Sequence, residues 1–324
     1  VPHPRIRLRA LVVALTALAI TTSGATAAHA APSKAELKKQ IETAQQKLED
    51  ITEDYNQSTI AQKKTAADIV KLNASLKPAE QAKNAATVRL QQIATSSYMT
   101  GRVGPAEIML SSNQSDLLDR MSYLEQLSRS NQADIDNFAQ TSQTFADRQA
   151  ALKAQQSKQA VQTKELSAQK TKYKKDLEKL YDMRTEVYGS PTESTGSWTG
   201  AIPKVSGDAG AAVTFAYKQI GKPYGFGDAG PGSYDCSGLT MAAWAAAGHS
   251  LPHSSTGQRT ASGVAYFKAS NSEFTPAAGD LVFYSGHVAL YVGSGMIIDA
   301  PHAGADVSRR SVNIMTIVGY GRMA

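Results

Sequence analysis

Between Lys34 and Tyr188 apolar residues return every three or four positions, and few patterns restrict a fold more. Leu37, Ile41, Ala44, Leu48, Ile51 and Tyr55 recur at alternating steps of four and three. The same phase later meets Ile69, Leu72, Leu76, Ala79, Ala86, Leu90 and Ile93. Such a heptad lets a helix bury one narrow stripe against another helix. Ser58, Gln62, Thr65 and Lys83 fall on the stripe and weaken it, and Pro78, lacking a backbone donor, is expected to kink the helix. "TGRVGP", Thr100 to Pro105, breaks the pattern. A second phase then runs through Leu117, Met121, Leu124, Ile135, Phe138, Phe145, Leu152, Leu166, Tyr173, Leu177, Leu180 and Val187. Two such helices around a short break predict an antiparallel coiled-coil hairpin over residues 34–188. At ~1.5 Å per residue it would be a rod ~90 Å long. Pairing of each helix with a second molecule is the alternative. A seam so rich in Gln, Ser and Lys is held loosely, which suits an element that rearranges.

The segment before the hairpin reads as an export signal. Arg5, Arg7 and Arg9 precede the apolar run Leu11 to Ile20, and Ala28-His29-Ala30 forms a small-residue cleavage site. The run is about half of what a membrane span needs, so residues 1–30 are expected to be a signal peptide and the mature protein secreted and soluble outside the cytoplasm; an uncleaved N-terminal anchor is the other reading. The formal charge of +6 includes those three arginines, and without them it falls to +3. No dense Lys/Arg block remains, which argues against nucleic acid as a partner.

Residues 189–207 are rich in Gly, Ser, Thr and Pro with no apolar period, and are expected to form a flexible linker. Residues 208–324 balance their charges, use Gly often and contain short strand-like runs, enough for one compact domain with its own core.

That domain holds the chain's single cysteine, Cys236, in "SYDCSGL". An exported thiol with no partner points to intermolecular pairing or to a reactive group. Cys236 sits where a Gly/Pro-rich loop meets the apolar run Leu239 to Ala247, read as a helix; a helix N-terminus favours thiolate and offers N–H groups to an oxyanion. Burial as a small hydrophobe is the plainer fate of a free cysteine, and Asp235 and Ser237 beside it argue against that. A nucleophilic thiol needs a rigidly held base. Among His249, His253, His287 and His302, His287 is the better candidate because it opens the strand "HVALYV". If Gly293-Ser294-Gly295 all form the following turn, Asp299 lies on the same face as His287 and His302 faces the other way. A two-residue turn reverses this parity. A carboxylate at Asp299 would hold the imidazole in place, or be a simple strand-end surface group. No His/Cys/Asp cluster has metal-ligand spacing, and no cofactor is expected.

"PYGFGDAGPGSYDCSGL", "LPHSSTGQ" and "GDLVFYSGHVALYVGSGMIIDAP", in that order, resemble the NlpC family of papain-like cell-wall peptidases. The resemblance covers roughly Ala209 to the C-terminus. It implies an α+β papain-like domain of helices on an antiparallel sheet, with Cys236 as nucleophile, His287 as base and Asp299 as the third polar residue. It also implies Tyr224 near the thiol, and Asp235 and Ser237 are expected to help bind substrate. Two departures stand out: the third position is usually His, and Gly225-Phe226-Gly227-Asp228 replaces a Trp with paired glycines. The implied activity is hydrolysis of peptidoglycan stem peptides between D-isoglutamyl and a diamino acid, without metal. The N-terminal half is similar to the coiled coils of secreted cell-division hydrolases, which implies autoinhibition and docking onto a membrane-bound division activator. The expected resting place of the peptidase domain is the last turns of the return helix, Leu177 to Val187. A Cys/His amidase acting at the glycan–peptide junction, and a wall-binding scaffold without activity, are the competing readings.

Overall fold

The computed structural model describes residues 33–100 and 117–324. The expected signal segment, and the stretch beyond Thr100 that interrupts the heptads, lie outside the described residues. Helix α1 (Lys34–Thr100) and helix α2 (Leu117–Tyr188) have 67 and 72 residues, so each is ~100 Å long. They pack antiparallel. Lys47 pairs with Asp176, Gln62 with Thr163, and Arg89 with Asp134, so rising numbers on one helix meet falling numbers on the other. α1 continues unbroken through Pro78, and near this position Arg148 of α2 donates to the Ser75 carbonyl.

The seam is as polar as its sequence. Gln62 Nε2 donates across it to Thr163 Oγ1 at 2.8 Å, and the Lys83 ammonium lies over the Phe145 ring at 5.0 Å. Two expected seam residues are corrected: Met121 is 50% and Ile135 42% exposed. For Ile135 the cause is phase, because the half-buried stripe of α2 runs through Asp134, Phe138 and Phe145, one step away.

After α2 come α3 (Gly207–Tyr217), α4 (Cys236–Ala245) and α5 (Ser255–Arg259), then six strands. These are β1 (Val264–Lys268), β2 (Leu281–Phe283), β3 (Val288–Gly293), β4 (Met296–Asp299), β5 (Ser308–Ser311) and β6 (Gly319–Met323). They form one sheet in the order β1-β6-β2-β3-β4-β5, every neighbouring pair antiparallel. Alternation along β3 sends Val288, Leu290 and Val292 into a core with Leu239 and Trp244 of α4 and Ala212 and Val213 of α3. Ala289 and Tyr291 face a second cluster with Ile314, Ile317 and Tyr320. The central strands are therefore buried on both faces. This is the α+β papain-like arrangement behind a long helical hairpin.

The β3–β4 turn matters for the site. It is a two-residue turn, with Ser294 and Gly295 at φ 54° and 69°, the backbone of a type I′ hairpin. By itself that would put Asp299 and His287 on opposite faces. The pairing shifts between Tyr291 and Gly293, so Val292 is an extra, bulged residue. Leu290 then opposes Ile298, and the same register places Asp299 two positions from His287 on one face. Turn length and bulge each flip the parity, and together they restore it.

The stretch expected as a flexible linker is strapped to the domain instead. Glu193 N donates to Gly304 O at 2.6 Å, Thr195 N to Asp306, and Trp198 packs on the Tyr217 ring. Arg184 near the end of α2 adds a bond to Pro191 O and an ion pair with Glu193. Backbone donors at 193 and 195 that find partners in the domain remove the freedom a Gly/Ser-rich composition implies.

Candidate active site

Cys236 is the first residue of α4, where Asp235 caps the helix by accepting from Gly238 N at 2.7 Å. The helix start favours a thiolate, but burial works the other way. Cys236 is 5% exposed. Burial pushes its thiol up to about 11, with Asp235 and Glu49 adding to the rise and His287 opposing it. In this conformation burial wins, and the sulfur is a thiol.

His287 immediately precedes β3 and is fully buried. Its Nε2 bonds Asp299 Oδ2 at 2.8 Å, which fixes the ring and leaves Nδ1 for other partners. Asp299 ends β4 and is itself fully buried. Left alone, burial would raise its carboxyl; hydrogen bonding from His287 and the charge of Arg310 hold it below the ordinary range instead. Arg310 lies on β5 opposite Ile297, hence diagonal to Asp299 on the same face. It grips both carboxylate oxygens, through Nε (3.0 Å) and Nη2. Against its own burial, the Glu49 carboxylate and the hydrogen bond to Asp299 raise His287 well above the ordinary histidine value, which favours the imidazolium.

The cleft around Cys236 is covered by α1. Glu49 Oε1 is 2.9 Å from His287 Nδ1, within ion-pair range though off the hydrogen-bond axis. One turn on, Glu53 accepts from Ser254 Oγ (2.7 Å), Ser255 N (2.9 Å) and Thr256 N (3.1 Å); burial would raise its carboxyl, but these bonds and one from Gln57 hold it below the ordinary range. Asn56 Nδ2 donates to Asp235 Oδ2 at 2.9 Å. Tyr224 donates to Thr52 Oγ1 at 3.2 Å, and Gln45 meets the ring nitrogens of His302. An apolar clamp flanks these bonds: the Phe226 ring stacks on Tyr173 of α2 at 4.0 Å and meets Tyr55 of α1 at 4.6 Å. The main covering element is thus α1 between Ile41 and Asn56, rather than the expected last turns of α2, which contribute Leu177, Leu180 and Val187 to the apolar cluster beside it.

The structure brings Cys236, His287 and Asp299 together and sets Tyr224 beside them. Asp235 and Ser237 are fully buried with their oxygens engaged in the helix cap: Ser237 Oγ donates to Asp235 Oδ1, and His253 Nε2 lies 2.8 Å from Asp235 Oδ2. Sequence reasoning missed Arg310, Glu49, Glu53 and Asn56. Arg310 carried no signal beyond its place two strands from His287. Glu49, Glu53 and Asn56 occupy heptad positions that normally face water, where polar residues are unremarked.

Comparison with known proteins bears on the C-terminal part. Residues 221–317 match the model of the NlpC/P60 family. A stretch of 134 residues is 37% identical to a probable endopeptidase of Corynebacterium glutamicum (strain R), covering 40% of this chain and 54% of that protein. Another of 146 residues is 33% identical to the probable endopeptidase p60 of Listeria grayi, covering 43% of this chain and 27% of that one. The chain thus spans about half, or less, of the length of these curated relatives. Among solved structures, the NlpC/p60 domain of the peptidoglycan hydrolase SagA is 32% identical over 36% of this chain and 98% of that chain, with a TM-score of 0.32. Helices α1 and α2 lie outside the matched span, and through residues 221–317 this chain belongs to the NlpC/P60 family.

Proposed function

We propose that this chain is a secreted peptidoglycan hydrolase, a cysteine endopeptidase that cuts stem peptides at the γ-D-glutamyl–diamino acid bond, and that its hairpin holds it inactive. The observation that carries the reading is the arrangement Cys236–His287–Asp299, with a thiol at a helix start beside a histidine whose far nitrogen is tied to a buried carboxylate. The naming of relatives as probable endopeptidases supports the same class. In the reaction the Cys236 thiolate attacks the carbonyl carbon, and first-turn N–H groups of α4 stabilise the oxyanion. Imidazolium His287 gives its proton to the departing amine as the C–N bond breaks. His287 then takes a proton from water, whose oxygen displaces the thiolate from the thioester and releases the acid.

The lock acts on ionisation as well as access. Catalysis needs the His287 imidazolium paired with the Cys236 thiolate, but with α1 in place Glu49 supplies the anion and the thiol keeps its proton. Moving α1 away would uncover the sulfur and take away the competing carboxylate in one step. A membrane-bound division partner pulling on the hairpin is the natural trigger. The test incubates purified muropeptides with the full chain and with its Glu49→Gln/Glu53→Gln form, reading products by mass spectrometry. Cleavage between glutamyl and diamino acid supports the reading. Release of intact stem peptides would make the enzyme an amidase, and no product from either form would overturn the hydrolase reading altogether.

A further inference from the structure

Between α1 and the catalytic histidine lies a cavity of about 430 Å³. His287, His302, Arg310, Ile314 and Met315 line it on the domain side, and α1 closes it with Glu49 among others. Cys236 takes no part in its wall. The acyl carbon must bond to Cys236, whereas the leaving nitrogen takes its proton from His287. A cavity that includes His287 and omits Cys236 therefore lies on the leaving-amine side of the cleft.

Arg310 brings a fixed positive charge to this cavity. Its Nε and Nη2 are committed to Asp299, while Nη1 makes no hydrogen bond to the described residues and the side chain is 31% exposed. The carboxylate of Glu49 acts on both His287 and Arg310, and it would depart with α1. The vacated position would keep a guanidinium edge with two free N–H donors above an apolar floor of Ile314 and Met315.

We propose that Arg310 recognises a carboxylate carried by the amine component of the substrate, so that Glu49 is the chain's own stand-in for that group. The assignment rests on the peptidase reading above. A charge-assisted hydrogen bond of this kind is worth roughly ten- to a hundred-fold in affinity.

The test uses two synthetic peptides spanning the scissile γ-D-glutamyl bond, identical except that the carboxylate next to the leaving nitrogen is free in one and amidated in the other. They are titrated calorimetrically into the full chain carrying Cys236→Ala, with Glu49→Ala, Glu53→Ala and Asn56→Ala to free the cleft. The acid should bind about ten-fold or more tighter than the amide, and Arg310→Gln should bring the two within about three-fold. Because Arg310→Gln strands a buried Asp299, the paired form Asp299→Asn/Arg310→Gln repeats the comparison with neither charge present. A general loss of order would weaken both peptides alike and leave their ratio unchanged. An unchanged ratio in both variants, or no binding of either peptide, overturns the subsite. If the ratio behaves as expected but the same chain with Cys236 intact cuts neither peptide, the subsite stands and the peptidase reading fails.

Discussion

The core beneath β2 and β3 and the contact between α1 and the cleft are both buried, yet they are built from opposite materials. The core joins Leu239, Leu281, Phe283, Leu290 and Ile298, each at most 1% exposed, with hardly a polar atom among them. The contact joins Glu49, Thr52, Glu53 and Asn56, each under 9% exposed, to His287, Ser254, Ser255 and Asp235. Apolar burial stabilises by roughly 25 cal/mol per Å², and the core, unlike the small apolar clamp around Phe226, opens only with unfolding. The Glu49–His287 ion pair gives back in desolvation most of what it gains in attraction, and the hydrogen bonds of Glu53 and Asn56 replace bonds to water, so the contact holds geometry at little net stability. A contact of the second kind can open while the domain stays folded. The carboxylates that leave with α1 exchange their partners for water, which suits a cover that must come off.

The sharpest way to break this contrast is at the sulfur. Cys236→Ala should lower muropeptide cleavage by ~10³-fold or more with an unchanged thermal midpoint, since no second thiol exists to replace it. Activity at a tenth of the parent would remove Cys236 from the chemistry. Close behind, His287→Ala should be nearly inactive and Asp299→Asn slower by ~10²–10⁴-fold, because the amide keeps the shape and loses the charge. His302→Ala should cost little; equal damage from His302→Ala and His287→Ala would sink the assignment of the base.

Next in size is the cover. Glu49→Gln/Glu53→Gln should speed cleavage by the full chain about ten-fold or more, since it breaks the ion pair to His287 and weakens the charge-assisted hydrogen bonds to Ser254, Ser255 and Thr256. The melting transition of the C-terminal domain should hardly move. A large drop in that transition would mean the contact belongs to the fold rather than covering it.

The single cysteine makes the ionisation argument measurable by alkylation. With its thiol raised to about 11, chiefly by burial, Cys236 is protonated at neutral pH. Its alkylation rate should therefore still be climbing above pH 9, and the closed form should lose stability as pH rises through the thiol's own value. Glu49→Gln removes one of the causes of the rise and should move the profile to lower pH. A profile that stays where it was would leave α1 as a steric cover alone. The smallest effect belongs to the rod: Lys47→Ala, which breaks a 3.0 Å pair with Asp176 at a half-exposed lysine, should change stability by no more than ~1 kcal/mol.

Much of this was legible in the chain itself. The heptads of residues 34–100 predict the stripe of α1 down to its polar members, because a helix with a 3.5-residue apolar repeat has one way to bury it. The order of Cys236, His287 and Asp299, with a helix after the first and a strand after the second, points to the proposed chemistry. Local pattern did not reach the β3–β4 turn. There a two-residue loop and a bulge at Val292 cancel, and only the completed ladder decides which face Asp299 takes.

By itself, then, the sequence determined the hairpin and the separate α+β domain, since each follows from periodicity or from neighbours along the chain, and through its motifs it named the proposed reacting groups. What only the tertiary structure decided is which surfaces meet. Glu49, Glu53 and Asn56 sit on the outer face of a two-helix rod, where polar side chains normally meet water. They are buried only because a domain some 180 to 240 residues further along packs against that face. Arg310 joins the site by the same route, from a strand whose pairing with β4 no local pattern specifies. Contacts between distant segments depend on the shape of both partners at once, and that information appears in the chain only after it has folded.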